Sequence, residues 1–375
     1  MVTKTNETPT LHLTFIDGMR GIAAFYIVLH HAFESSHMAS QPPRFWFYLF
    51  SHGHAMVTVF IAISGFCLML PVARNDLTLR GGSGVFFKKR AHRILPPYYV
   101  ALGLSILVEL MSHPSSTRMA YLREPSTIVG IWSHFLMIHN WFTQTVFGFD
   151  GPLWSVAMEC QIYLLFPLMV MVWRRFGPVP TLIAVFILAH TGYHMVGHLV
   201  AINYFFIFAL GMAGAELASR GKAHKWLQWA CWFSLIGYFI VRDKDNISDF
   251  FIGSFAAMLM AVLSLGAASS VRKALSVRVL TWLGSFSYSL YLTHSVIQHI
   301  YLRTDIAAKL ANNPLKQFLV LVFCATPIVL VIAYLFYLVA ERPFINHTKK
   351  VVIATITEPP MTATKTQTDI SVAKV

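Results

Sequence analysis

Ten apolar stretches, each about as long as a bilayer crossing, constrain this chain more than any other feature. A helix needs about 20 consecutive apolar residues to cross the hydrocarbon core of a membrane. The chain is 56% hydrophobic and only 12% charged, whereas soluble domains contain about 25% charged residues. The sequence therefore predicts an all-α polytopic membrane protein, a bundle of about ten transmembrane helices. The predicted spans are 14–33, 55–73, 94–112, 152–173, 179–197, 199–218, 225–242, 248–269, 279–301 and 317–340.

The lysines and arginines are distributed unevenly over the segments that join these spans. With the N-terminus inside, 20 of the 29 basic residues fall in inner segments and eight in outer segments, and Arg20 lies within the first span. This asymmetry follows the positive-inside rule and predicts that both termini face the cytoplasm. Topology and anionic lipid account for the net charge of +13, so no nucleic acid is needed to explain it.

One membrane domain is predicted over 14–345. The polar segment 1–13 shows no cleavage site and is expected to be a cytoplasmic N-terminus, while 346–375 is expected to be a disordered cytoplasmic tail. The apolar run 127–142 is too short to span comfortably, so it is expected to be re-entrant or interfacial. With no soluble domain predicted, any chemistry must occur within the bundle or at its mouths.

Cysteines and histidines give little sign of a metal centre. The four cysteines fall in apolar spans without paired spacing, which indicates buried thiols rather than disulfides. The sequence HGH at 52–54 is the one weak metal pattern, and a loop is the favoured interpretation. The sequence therefore predicts that no metal is bound.

Arg20 and His31 lie eleven residues apart in FIDGMRGIAAFYIVLHHAF. Eleven helical residues make about three turns, so both side chains leave nearly the same face, roughly 16 Å apart along the axis. Asp17 precedes Arg20 by one turn and can pair with it. Polar groups of this kind inside a membrane are costly and mark functional sites. The alternatives are an arginine that extends to the headgroups and an imidazole satisfied within the core.

Arg90 and Arg93 share a face at the inner mouth of the third span, in FFKKRAHRILPPYY. Guanidinium groups match phosphate oxygens in pairs, so this spacing predicts a phosphate clamp. The alternative is the ordinary basic flank of an inner segment.

Ser155, Glu159 and Tyr163 form one stripe in GPLWSVAMECQIYLLFPL. Glu159 is the only acidic residue of its span and is predicted to lie in the outer half with His31, where a carboxylate can orient an imidazole. The alternative is a glutamate that joins helices through hydrogen bonds to Tyr or Ser. Ser64, near mid-membrane in FIAISGF, is expected to allow close helix approach rather than to act in catalysis.

Tyr291 and His294 share a face in LGSFSYSLYLTHSVI. His294 is also predicted to lie in the outer half, because its span begins inside. The alternative is a histidine whose hydrogen bonds serve helix packing.

Six motifs together resemble the acyltransferase-3 family, the membrane O-acyltransferases that modify surface polysaccharides. DGMRGIAAFYIVLHH is similar to the family's opening DGLRGIA…H, FIAISGF to FFVLSGF, and KKRAHRILPPYY to RxxRIxPxY. GPLWSVAMECQIYLLFP is similar to WSLSVExQFYLLFP, LGSFSYSLYLTH to SYSLYLxH, and ERPF to ERP. The motifs occur in order over about 15–344. Ala157 and Cys160 depart from the pattern, which leaves Glu159 as the sole carboxylate of its motif.

The resemblance implies an O-acyltransferase in a plasma or inner membrane. The implied donor is a cytoplasmic acyl-CoA, most commonly acetyl-CoA, and the implied acceptor is a hydroxyl of an extracytoplasmic glycan, lipid-linked sugar or related molecule. Membrane lipids are the other expected partners. The implied catalytic residues are His31 as base, assisted by Glu159; the donor would bind Arg20, Arg90 and Arg93; and Ser155, Tyr163, Tyr291, His294 and Asp17 are candidate supporting or substrate-binding residues.

Two other functions remain open at this point. A transporter or exporter of a polar or lipid-linked substrate would also place His and Glu in the outer half of a bundle. It would not need an inner arginine cluster aligned with His31. A non-catalytic membrane sensor is the third possibility.

Overall fold

The computed structural model describes residues 13–38, 45–112, 124–196, 202–221, 225–242 and 244–345. The predicted N-terminal segment, apart from Leu13, and the predicted disordered tail lie outside these residues.

Helices joined by turns and short connections make up the described residues, which contain no strand. We number the α-helices in chain order. They are α1 (Thr14–Ser35), α2 (Phe45–Phe50), α3 (Gly53–Ala73), α4 (Gly82–Ser112), α5 (Pro125–Phe135), α6 (Leu153–Phe176), α7 (Pro178–Val196), α8 (Asn203–Ser219), α9 (Lys225–Val241), α10 (Asp245–Ser264), α11 (Ser269–Leu275), α12 (Arg278–Ser285), α13 (Ser287–Leu302), α14 (Asp305–Leu310) and α15 (Pro314–Ile345).

Each predicted span overlaps a helix over most of its described length. The predicted span 279–301 differs, because it is interrupted at Phe286 and forms α12 and α13. The third span also differs, since its helix begins at Gly82 rather than near residue 94, so Arg90 and Arg93 lie on the helix itself. The run 127–142 forms α5 and a short 3₁₀ turn at His139–Trp141.

Five helical segments among the described residues are long and apolar enough to cross a membrane: Phe45–Ala73, Gly82–Ser112, Leu153–Phe176, Ile247–Ser264 and Pro314–Ile345. The count of ten spanning helices and the cytoplasmic position of both termini therefore stay predictions.

Large apolar side chains cover the outer surface of the bundle, as expected for helices that face lipid. Trp229 and Ile240 on α9 are 74% and 76% exposed, and Val339 on α15 is 77% exposed. The buried core lies between the helices and is built largely from α1, α3, α6, α8 and α10.

Helix α1 lies at the centre of the arrangement. It packs against α3 on one side and against α11, α12 and α13 on the other. Gly21 and Gly284 let the backbones of α1 and α12 approach closely: a Cβ at Gly21 would lie 2.3 Å from the Leu280 carbonyl oxygen, and one at Gly284 would lie 1.9 Å from that of Asp17. The polar residues of α1 are thereby surrounded by neighbouring helices.

The contact between α3 and α8 depends on two facing glycines in the same way. A Cβ on Gly65 would lie 2.1 Å from the Phe208 carbonyl oxygen, and a Cβ on Gly211 would lie 2.1 Å from that of Ala62. In lipid, no hydrophobic driving force brings helices together. Small residues at such positions let the helices associate through close van der Waals packing instead.

We expect Gly211→Ala to destabilise the protein by about 1–3 kcal/mol, because the added methyl group forces α3 and α8 apart. Gly84→Ala is the matched control, since nothing lies within 4 Å of a Cβ at that helical position, and it should leave stability unchanged or slightly raised. Thermal unfolding of both variants in detergent measures the difference. Equal melting temperatures would show that the α3–α8 contact is not as close as described.

Candidate functional site

The three arginines of the predicted donor site belong to two helices, α1 and α4. Arg90 and Arg93 are one turn apart on α4, and their charges act on each other. Arg20 on α1 donates through Nη2 to Cys67 Sγ at 3.4 Å, and its Nη1 lies 3.5 Å from Asp17 Oδ1. Arg90 Nε is buried without a hydrogen-bond partner among the described residues. We call Arg20, Arg90 and Arg93 the arginine cluster.

Glu159 belongs to the arginine cluster rather than to His31. Its Oε1 accepts hydrogen bonds from the hydroxyls of Ser64 and Tyr163, and its charge acts on both Arg20 and Arg90. Among the described residues, neither a hydrogen bond nor an ion pair joins Glu159 to His31, so the predicted partnership of these two residues stays a prediction.

The reason for the position of Glu159 in the structure is electrostatic. Counting residues along a span gives only an approximate depth, while a buried carboxylate is stabilised by cations and hydrogen-bond donors. Two guanidinium groups and two hydroxyls supply both at the position of Glu159. The hydrogen bonds from Ser64 and Tyr163 agree with the alternative interpretation of Glu159, a glutamate that joins helices through hydrogen bonds. Ser64 was expected only to allow close helix packing.

Glu341 is a second carboxylate at this cluster, and no role was predicted for it. It is 2% exposed, and its Oε2 accepts from Ser289 N at 3.2 Å and Ser289 Oγ at 2.5 Å. The charges of Arg93 and Arg20 act on it. Its signal in the sequence was the acidic residue of ERPF, directly after a long apolar span.

At the other end of α1, His31 is paired with a carboxylate that the sequence analysis did not select. Its Nδ1 lies 3.2 Å from Glu34 Oε2, one helical turn further along. The His31 side chain is 33% exposed and that of Glu34 is 54% exposed. The i, i+3 spacing of the two residues was the signal available for this pair.

The ring of His31 stacks on that of His294 on α13, with centroids 5.2 Å apart. His294 is fully buried, and its Nδ1 lies 2.7 Å from the Tyr291 carbonyl oxygen. A nitrogen in that position donates, so Nε2 is left as the acceptor. Nε2 is buried without a hydrogen-bond partner among the described residues. We call His31 and His294 the histidine pair.

Between the arginine cluster and the histidine pair, Ser155 and Tyr291 form a polar link. Ser155 Oγ and Tyr291 OH lie 2.6 Å apart, and each lies within donating distance of the Pro152 carbonyl oxygen, at 3.1 and 3.0 Å, so one hydroxyl donates to the carbonyl and the other to its neighbouring hydroxyl. A narrow cavity of about 60 Å³ extends from Glu159 to this link. Its lining residues are Val57, Phe60, Ile61, Ser155, Val156, Glu159, Ser287, Tyr288 and Tyr291.

In the HGH sequence at 52–54, His52 lies in the connection before α3, while Gly53 and His54 form the first turn of that helix. His54 Nδ1 lies 3.2 Å from Asp249 Oδ1, and its Nε2 lies 2.8 Å from Tyr204 OH, so protein groups occupy both nitrogens. Within the described ranges, one group brings three possible metal ligands within 4.8 Å of one another, and it consists of His30, His31 and Glu34. Hydrogen bonds among these side chains account for the same distances.

Asp150 is a buried carboxyl that the sequence analysis did not identify. It lies in the connection before α6 and is fully buried, and neither oxygen has a hydrogen-bond partner among the described residues. Burial raises its pKa to about 7; the nearby Ser295 hydroxyl opposes this shift only in part, because it does not reach hydrogen-bond geometry. The charge of Asp150 acts on Tyr291, which places this carboxyl close to the polar link.

Comparison with known proteins assigns the chain to a protein family. A family model described as an acyltransferase domain matches residues 13–338, nearly the whole chain. The chain belongs to the acyltransferase 3 family. The family membership and the five apolar helices make it an integral multi-pass membrane protein.

Relatives of this acyltransferase 3 protein include Nodulation protein 10 of Rhizobium leguminosarum bv. viciae, 24% identical over 78% of this chain and 85% of the relative. O-acetyltransferase OatA of Staphylococcus aureus (strain NCTC 8325 / PS 47) is 25% identical over 76% of this chain and 50% of the relative. Peptidoglycan O-acetyltransferase OatA of Listeria monocytogenes is 22% identical over 48% of this chain and 28% of the relative. The chain thus spans about half the length of the staphylococcal relative. No solved structure matches it.

Family membership implies an acyl donor and supports an enzyme of the O-acetyltransferase type. The structure places all ten predicted site residues in one continuous arrangement. Arg20, Arg90, Arg93, Asp17, Glu159 and Tyr163 lie at one end, Ser155 and Tyr291 in the middle, and His31 and His294 at the other end.

Asp150 generates a prediction about stability and pH. Below about pH 4 the carboxyl is protonated in both folded and unfolded chains. As the pH rises towards 7, the unfolded chain ionises freely while the folded chain does not, so folding stability falls. We expect the melting temperature of Asp150→Asn to exceed that of the parent protein at pH 8, and this difference to shrink by pH 5.

The control for this experiment is Asp76→Asn, at an exposed aspartate, which should follow the parent curve throughout. Thermal unfolding between pH 5 and 8 measures all three proteins. Parallel curves for Asp150→Asn and the parent would contradict the raised pKa.

Proposed function

We propose that this protein transfers an acyl group from a cytoplasmic acyl-CoA, acetyl-CoA in the first instance, to a hydroxyl of an extracytoplasmic carbohydrate or related acceptor. The proposal places the protein in a plasma or inner membrane, with about ten spanning helices and both termini in the cytoplasm. The observation that carries it is that α1 bears Arg20 of the arginine cluster and His31 of the histidine pair, while a narrow cavity between α3, α6 and α13 runs from Glu159 to Tyr291.

The arginine cluster is suited to the phosphates of coenzyme A. Guanidinium groups bind phosphate oxygens with several parallel hydrogen bonds. Arg90 Nε is a buried donor without a partner within the described part of the chain, and an anionic ligand would satisfy it. In this proposal Glu159 is a positioning residue, which holds Arg20 and Arg90 in place while Ser64 and Tyr163 hold its carboxylate.

The distance along α1 fits a donor that reaches through the bundle. Arg20 and His31 are separated by roughly 16 Å of helical rise, which is comparable to an extended pantetheine arm. The narrow cavity starts at Glu159 and ends at Tyr291, whose ring lies 5.8 Å from that of His294. The thioester can then reach the histidine pair while the nucleotide stays on the cytoplasmic side.

At the histidine pair, His31 acts as the general base. With Nδ1 bonded to Glu34, the nitrogen left to accept a proton is Nε2. It removes the proton of the acceptor hydroxyl, whose oxygen attacks the thioester carbonyl. The C–S bond then breaks, and the leaving thiolate takes up a proton from the imidazolium. Glu34 stabilises the imidazolium in this step, the role expected of Glu159 from the sequence. Transient acylation of His31 is the competing version.

The narrow cavity also bears on the transporter alternative. A volume of about 60 Å³ has room for only a few water molecules. A sugar or a lipid headgroup would need the helices to separate, whereas a thin acyl-pantetheine arm needs much less. The geometry therefore favours group transfer over passage of the acceptor.

Replacement of His31 by Ala is expected to lower acyl transfer by about 10²–10⁴-fold, the usual contribution of a general base. Glu34→Gln should reduce turnover less, because the imidazole stays in place but loses its counter-charge. His190→Ala, at an exposed histidine of α7, is the matched control.

The measurement uses purified protein in proteoliposomes with labelled acetyl-CoA, and it follows both consumption of the thioester and acetylation of the acceptor. A folded His31→Ala protein that retains full transfer would reject both the general-base and the acyl-histidine versions.

Loss of the Arg90 side chain should act on donor binding. We expect Arg90→Ala to raise the KM for acetyl-CoA by roughly tenfold or more, since a hydrogen bond to a charged group contributes about 1.5–3 kcal/mol, with a smaller effect on turnover at saturating donor. Arg80→Ala, at an exposed arginine in the same inner segment, should leave the KM unchanged. Equal KM values for Arg90→Ala and the parent would reject the phosphate clamp.

A further inference from the structure

A second, larger cavity is lined in part by the last turn of α13, the helix that carries His294. Its volume is about 430 Å³, which falls within the range of about 300–1,000 Å³ typical of small-molecule sites. It lies between the end of α4, the connection before α6 and the end of α13, and we call it the outer cavity. Its lining residues are Glu109, Phe147, Gly148, Phe149, His299, Leu302 and Arg303.

The outer cavity is connected to the histidine pair through α13. His299 lines it and follows His294 by five residues on that helix, which is about 7.5 Å of helical rise. The ring of His294 in turn stacks on that of His31. A molecule in this cavity would therefore lie less than two helical turns from the histidine pair.

The polar walls of the outer cavity suit a molecule with several hydroxyl groups. Arg303 Nη2 bonds Glu109 Oε2 at 2.8 Å, and the two side chains keep 41% and 30% of their surfaces exposed. A carboxylate accepts hydrogen bonds and a guanidinium donates them, so the pair can bind neighbouring hydroxyls that both donate and accept. Phe147 adds a ring that is 70% exposed, and an apolar ring surface can pack against the C–H face of a sugar.

The charge balance of these walls discriminates between acceptors. Arg303 is neutralised by Glu109 in a direct ion pair, unlike Arg90, whose Nε has no partner among the described residues. An anionic sugar would bring a third charge that meets the Glu109 carboxylate as well as the guanidinium. The lining therefore favours a neutral polyhydroxyl ligand over a uronic acid or a phosphate.

From these observations we propose that the outer cavity binds the sugar residue that receives the acyl group, and that this residue is uncharged. The inference rests on the proposed acyl transfer and adds the place and the charge class of its acceptor.

The experiment compares three soluble probes with the full-length protein in nanodiscs: maltotriose, chitotriose and trigalacturonate. Isothermal titration measures binding, and labelled acetyl-CoA measures transfer. We expect binding of at least one neutral trisaccharide and weaker or no binding of trigalacturonate. Phe147→Ala should weaken binding of that neutral probe by about tenfold, which corresponds to about 1.4 kcal/mol. Phe142→Ala, at another exposed phenylalanine of the same connection, is the control and should behave like the parent.

Glu109→Gln provides a test by gain of function. It leaves Arg303 charged without its counter-charge, so binding of trigalacturonate should strengthen relative to the neutral trisaccharides. A parent protein that prefers trigalacturonate, binds none of the probes, or is insensitive to Phe147→Ala would overturn the assignment of the outer cavity.

The outcomes for the two proposals are separable. If the parent protein neither consumes acetyl-CoA nor transfers the acetyl group, the proposed function is rejected. The binding measurements would still show which probe the outer cavity holds. Thioester consumption that depends on His31, without neutral-sugar binding, would leave the proposed transfer standing and defeat only the acceptor site.

Discussion

The attraction between Glu159 and its neighbouring arginines is the interaction on which the rest of the site depends. Buried charges are tolerated in an apolar bundle only where opposite charges and hydrogen bonds meet them. Ser64 and Tyr163 donate to Glu159, while Arg20 and Arg90 supply the positive charge. These contacts join α1, α3, α4 and α6 at one place. Because α1 continues from there as an unbroken helix, His31 is held at a defined distance from the same charges.

Much of the helical architecture could be predicted, because apolar length can be counted along a sequence. The sequence predicted a helix at each of the ten stretches, and the structure has one at each. The break at Phe286 was harder to predict, because the glycine nearest to it, Gly284, also serves the close approach of α12 to α1. The early start of α4 at Gly82 was hidden for a different reason: its first turns are basic and glycine-rich, so the hydropathy of a spanning segment begins only later.

The sequence indicated which residues are candidates for the site, but it did not indicate which of them contact each other. Counting residues gave the separation of Arg20 from His31, yet it could not give the rotation of α6, which turns Glu159 towards the arginines. Glu34 was within reach of the same reasoning, because it follows His31 by one turn of the same helix. Asp150 was not, since only the folded chain shows that this loop carboxyl is buried.

The narrow cavity between Glu159 and Tyr291 has a consequence for the membrane itself. A protein open to both sides of a bilayer would let protons and ions run down their gradients. Here the space is about 60 Å³, and Ser155 and Tyr291 at its far end already bond each other. A few waters in such a space cannot form a continuous file across the bundle. In the proposed function, the same constriction that a thin, flexible arm would enter therefore acts as the electrical seal of the protein and lets the cell keep its membrane potential.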